Sequence, residues 1–437
     1  MNSGTYDASL QPAAPATTNL LEQKASPLHK ALMFPLKFFC GMVFCQSLAG
    51  SILVVGWTYR LAQRCAFKFW FTHRFNPRAQ QTFAEFAERQ ELTHSQLHWP
   101  NWFAQQNLRS AARFQPELSW ASRAFILAKA HSHSLWLNLW LGIAAIANTW
   151  ALTLPATVLW WFGWYDGWNN SFNKGYEQAV VGPAISLLGT AWFITVMFYV
   201  PLAQARQAVT GQWRSFYDFR PITKIMRDRW VYCVLLALLY TLLSIPLAIL
   251  KTSPMFWMQH DPALGAMTKA QVLTALKGYF FWSALAALPA FVALRVAAAR
   301  IYAAGLMSLL SRAKISPTEL APNERDLLGR LDLLTVRAQP ERHVLVRFMA
   351  WAGTRLGRVA GGAILAFVWF SFVAQIYITE FLNYHAGRGW LNQPLVQLPW
   401  FRYLPTAARN PLVDLSSALL LLLVFFLIRS VLRVFRK

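Results

Sequence analysis

The stretch Gln204–Trp230, QARQAVTGQWRSFYDFRPITKIMRDRW, stands between two long apolar runs and holds six basic residues, Arg206, Arg214, Arg220, Lys224, Arg227 and Arg229, against Asp218 and Asp228. Trp213, Phe216, Tyr217, Phe219 and Trp230 are interleaved with them. Positive loops beside apolar spans are retained on the cytoplasmic side of a bilayer, so this stretch sets the direction of the helices on either side. Pro221 suits the first turn of a helix. From there Ile222, Ile225, Met226 and Trp230 share one face, and Lys224, Arg227 and Asp228 share the other. Such a pattern predicts a short helix lying on a membrane surface. Arg206, Trp213, Arg214, Arg220, Lys224, Arg227, Arg229 and Trp230 are the residues expected to contact lipid headgroups or a partner.

Outward from this stretch the composition points the same way. Of 437 residues, 56% are hydrophobic and only 14% charged, with 21 Trp. The apolar residues fall in blocks of about 20, the length that a hydrocarbon core demands of a helix. The expected fold is all-α: a polytopic transmembrane helix bundle of about seven spans, near residues 38–59, 135–164, 180–203, 231–250, 279–302, 359–382 and 411–428. Amphipathic cytoplasmic helices are expected in 60–134, 204–230 and 303–358. Residues 1–30, rich in Ala, Thr, Ser, Pro and Gln, read as a disordered tail ahead of a membrane domain over 31–437. With 204–230 inside, alternation leaves 31 of the 41 Lys and Arg on the inner side and the C-terminus cytoplasmic. The net charge of +23 therefore addresses an anionic inner leaflet rather than nucleic acid. The plausible home is a bacterial cytoplasmic (inner) membrane. The N-terminus is the exception to a simple ledger: it lacks a cleavable signal, so the first segment either spans or re-enters.

Several features predict close helix packing. Ser283, Ala287, Ala293 and Ala297 are small residues in one span, and Gly357-x-x-x-Gly361 opens another. Prolines at 155, 183, 201, 246 and 289 fall in four consecutive spans. Arg295 and Arg300 are expected to snorkel to the interface. Ser316-Pro317-Thr318-Glu319 is a capping box, and Leu327, Leu328, Leu331 and Leu334 form a stripe read as local packing.

Chemistry is sparse. No charged pair or relay is visible inside the spans, where the polar residues are Gln46, Asn138, Asn148 and Gln375. Amides of this kind make interhelical hydrogen bonds or line a polar pathway. His94 and His98 are four apart, but Pro100 follows and no third ligand is near, so neither a metal nor a cofactor is expected. Cys40, Cys45, Cys65 and Cys233 read as small apolar residues. An enzyme would draw on His260, Asp261, Glu380, His385 and Asp414, whose spacing singles out none of them. The first expectation for function is an integral membrane scaffold, assembly factor or accessory subunit, acting through lipids, other membrane proteins or a second copy of itself. The alternatives are a transporter or permease for a neutral, lipidic or anionic solute, and a membrane-embedded lipid-modifying enzyme. A dry, fully packed bundle favours the first; a polar cavity reaching Asn138 or Asn148 favours the second.

Overall fold

The computed structural model describes residues 35, 38–73, 83, 86, 119–164, 180–260, 263, 266–334, 344–381 and 392–400. Among them the chain is all-helical: α1 Leu48–Thr72, α2 Trp120–Trp164, α3 Val181–Thr210, α4 Phe219–Asp228, α5 Trp230–His260, α6 Lys269–Ser311, α7 Pro322–Arg330 and α8 Val344–Phe381, with 3-10 turns at Trp213–Tyr217 and Pro317–Glu319. Five helical segments are long and apolar enough to cross a membrane: Ser132–Trp164, Val181–Thr210, Trp230–Pro254, Lys269–Ser311 and Ala352–Glu380. The protein is thus a multi-pass membrane protein. The five correspond to the second through sixth expected spans. The seventh, near 411–428, lies outside the described residues, as do residues 1–30, His94 and His98.

The first apolar run is not one straight helix. Residues 38–44 are helical, the chain turns over 45–47, and Ser47 caps α1 by accepting from the Gly50 amide. α1 then continues past Tyr59, where the sequence suggested that a span would end, to Thr72. It does so because Arg60, buried, meets Ser134 Oγ at 2.8 Å and Asn138 Oδ1 at 2.9 Å on α2. Further along, Gln63 donates to the Val209 carbonyl at 2.9 Å and Trp70 Nε1 to the Ala303 carbonyl at 3.0 Å. Residues 60–72 were expected among surface helices; they lie inside the bundle instead. A hydropathy count registers Arg60 as polar but does not register the Ser134 and Asn138 side chains that receive it, while Arg64 and Lys68 stay exposed.

Glycines let the helices approach. A Cβ on Gly56 would run into the Asn138 backbone of α2, and one on Gly142 into the Ile52 carbonyl of α1, so the two helices touch backbone to backbone. Gly361 carries the Trp230 indole, which gives the Gly357–Gly361 pattern its packing role between α5 and α8. Of the small residues in α6, Ser283 and Ala287 are buried while Ala293 faces out. Tyr240, Trp369 and Phe372 interlock at ring separations of 5.3 to 6.5 Å and tie α5 to α8.

Candidate functional site

The segment that organised the sequence reading docks on protein. α3 ends at Gly211, whose φ of 69° is left-handed and suits glycine. Beyond it, α4 buries Pro221, Ile222 and Ile225, with Ile225 seated at Gly305 of α6. Asp228, expected on the polar outward face, is nearly buried and collects Ser308 at 2.9 Å and Arg312 at 3.0 Å. Arg206 is 1% exposed. Its guanidinium pairs with Asp218 at 2.9 Å and Glu324 at 3.3 Å and donates to the Tyr302 hydroxyl at 2.7 Å. Tyr302 in turn donates to Glu324 at 2.6 Å. Lys224 binds Glu319 at 2.9 Å, and this hydrogen bond, with the Ser316 amide, holds the Glu319 carboxyl below its usual value. Arg229 reaches the Ala304 carbonyl at 3.3 Å. Arg206 is therefore not a headgroup contact, and the region is a cap that clamps α3, α6 and α7 together. Trp213, Arg214, Phe219, Arg220 and Arg227 stay exposed. The amphipathic pattern was legible, but a moment cannot distinguish protein from lipid as the covering surface.

The four amides of the spans do not converge. Gln46 donates to the Met42 and Phe281 carbonyls at 3.2 Å. Asn138 holds Arg60. Asn148 donates to the Trp213 carbonyl at 2.8 Å and accepts from Tyr217 at 3.2 Å. Gln375 bonds Ser244 and, at 3.3 Å, the Thr241 carbonyl. Each ties two elements, and Gln375 also lines a cavity.

That cavity belongs to a polar centre built around residues 392–400. Sequence reasoning placed them in an outer loop, yet residues 392–399 are buried. Asn392 folds the segment on itself, donating to the Leu398 and Trp400 carbonyls at 3.2 and 3.0 Å and accepting from the Leu398 amide at 3.0 Å. The Val396 amide meets the Gln393 carbonyl at 2.9 Å. Internal bonding of this kind is the condition for non-helical backbone inside a span bundle. At the inner end, Gln397 Nε2 reaches Thr153 at 3.2 Å. The Val396 carbonyl accepts from Gln204 Nε2 at 3.1 Å and Arg295 Nη2 at 2.7 Å. Arg295, expected to snorkel, is 4% exposed, with Gln204 Oε1 on its other arm and Phe291 beneath it at 4.6 Å.

At the outer end, Lys251 of α5 and Glu380 of α8 form an ion pair with both side chains buried. The sequence reading found no such pair, because the partners stand 129 positions apart at the ends of two helices and come together only when α5 and α8 pack in parallel. Beside them is a cavity with about 40 Å³ open to the centres of water molecules, lined by Ser244, Lys251, Gln375, Thr379 and Gln393 among apolar walls. That is room for water. Buried charge in a span is costly, and such groups mark polar pathways more often than they stabilise.

Of the residues considered for an enzyme, Glu380 is committed to Lys251. His260 is exposed and, among the described residues, bonds its own helix through the Phe256 carbonyl at 2.9 Å. Asp261, His385 and Asp414 lie outside the described residues. Cys40, Cys45 and Cys233 are buried and Cys65 half-buried, all with free thiols. Comparison of the chain with protein-family models, curated proteins and solved structures finds no match.

Proposed function

We propose that the protein is a permease of a bacterial cytoplasmic membrane, passing a small polar or anionic solute through the centre of its helix bundle. The observation that carries this reading is the buried Lys251–Glu380 pair opening on a water-sized cavity beside a non-helical segment. Interrupted backbone, ionisable groups and proline-containing spans together suit a site that must bind and release. Prolines 155, 201, 246 and 289 lie within four of the helices. The exposed Trp213, Arg214, Arg220 and Arg227 suit contact with an anionic inner leaflet, and their charge supports a cytoplasmic side for that end of the bundle. The scaffold reading rested in part on spans without a charged pair, a premise that Lys251 and Glu380 remove, and in part on Trp-rich, basic and small-residue contact surfaces, which the pair does not touch.

Proteoliposomes test it. Stopped-flow light scattering with glycerol, urea, acetate and phosphate should reveal at least one solute that enters faster than into protein-free vesicles. Thr379→Leu, which fills the cavity without touching the ion pair, should return that rate to the protein-free level. If no solute passes faster than into empty vesicles, the permease reading fails and the scaffold reading, with its exposed basic and aromatic face, replaces it.

A further inference from the structure

Four buried cations lie in helices of the core with different companions: Arg60 meets Ser134 and Asn138. Arg206 meets Asp218 and Glu324, and Lys251 meets Glu380. Arg295 meets no carboxylate among the described residues. Its Nη groups are spent on the Gln204 amide oxygen and the Val396 carbonyl, and its Nε has no hydrogen-bond partner. Two further donors stand unused around it. The Tyr59 and Tyr240 hydroxyls, 2% and 0% exposed, lie within electrostatic reach of the guanidinium; Tyr240 stands beside Arg295 and Tyr59 beside Thr149, and neither hydroxyl makes a well-formed hydrogen bond among the described residues. Unsatisfied buried donors are rare, and each calls for an acceptor. Here three belong to or neighbour one cation that meets no carboxylate among the described residues. The Val396 oxygen accepts from both Arg295 and Gln204, as an anion's oxygen would.

We propose that Arg295, Gln204, Tyr59 and Tyr240 form a binding site for a small oxyanion, carboxylate or phosphate-like, whose seat the Val396 carbonyl holds in this state. A guanidinium presents parallel N–H bonds that match two oxygens of such a group, and the tyrosine hydroxyls would supply the remaining donors. An entering oxyanion displaces residues 392–400 from the centre and supplies the charge that Arg295 lacks. This deepens the permease reading and rests on it, since it names the solute class.

The test uses the full-length protein in mild detergent. Thermal unfolding is followed in sodium acetate, phosphate or sulfate, against sodium chloride at equal ionic strength. At least one oxyanion should raise the melting temperature, as ligand linkage requires. Tyr59→Phe with Tyr240→Phe, which removes two donors and leaves the cation in place, should weaken the apparent affinity by about tenfold or more; Arg295→Gln should abolish the shift. No oxyanion-specific shift in the wild type, or an undiminished shift in the double phenylalanine variant, overturns the site. The double variant keeps the test sound if Arg295→Gln does not fold. Solute flux with no oxyanion shift would leave the permease standing and remove the anion site; loss of both removes both.

Discussion

Arg206→Met is expected to destabilise the folded protein by about 3–5 kcal/mol, the range for removing one partner of a buried ion pair. The cost comes from what is left behind. Glu324 has a fully buried side chain, and without Arg206 its charge keeps only the Tyr302 hydroxyl at 2.6 Å and the Ala321 amide at 3.3 Å. Asp218, with a side chain 43% exposed, can return to water and contributes less. Because desolvation rather than attraction dominates buried pairs, Arg206→Met combined with Glu324→Leu should recover much of the loss. Unfolding of the purified protein by titration of a denaturing detergent measures both. A single variant indistinguishable from wild type, or a double variant losing the sum of the singles, would show that the cap is not held by this cluster.

The second large effect is at the crossing of α1 and α2. Gly56→Val and Gly142→Val each place a branched side chain where the opposing backbone already sits, at Asn138 and Ile52 respectively. Neither obstacle is a flexible side-chain end, so the helices must separate. Separation also draws Arg60 away from Ser134 and Asn138. Overpacking typically costs about 1–3 kcal/mol and occasionally more, and an obstacle of backbone puts these two at the upper end. Both variants should unfold at lower denaturing-detergent fractions than wild type, whereas Gly353→Ala, where nothing stands within 4 Å, should not. Equal behaviour at all three positions would contradict the close crossing.

The contrast between these regions indicates what a sequence carries. Length and hydropathy were enough to find five spans, because a bilayer imposes a contiguous requirement. The Ser316–Glu319 capping box was legible for the same local reason. The polar centre was not. Lys251 and Glu380, or Arg295 and Val396, acquire meaning only from the packing of helices distant in sequence. Buried charges also look like surface charges until their partners are in place, which is why Arg206 and Arg295 were both expected at the membrane surface. The clearest local hint lay in N392-QPLVQLP-W400, apolar and proline-bounded between polar flanks, a poor composition for a wet loop.

The central claim is that this segment sits inside the bundle against α2. Replacing the four native cysteines by serine or alanine and introducing Thr153→Cys with Gln397→Cys tests it in native membranes, since the parent side chains meet at 3.2 Å. The account predicts that mild oxidation or a short bifunctional thiol reagent yields a cross-linked peptide joining 153 and 397, with little reaction of either cysteine with a bulky membrane-impermeant maleimide. Ready labelling of residue 397 by that maleimide, with no cross-link to 153, would place the segment in an outer loop and contradict the account.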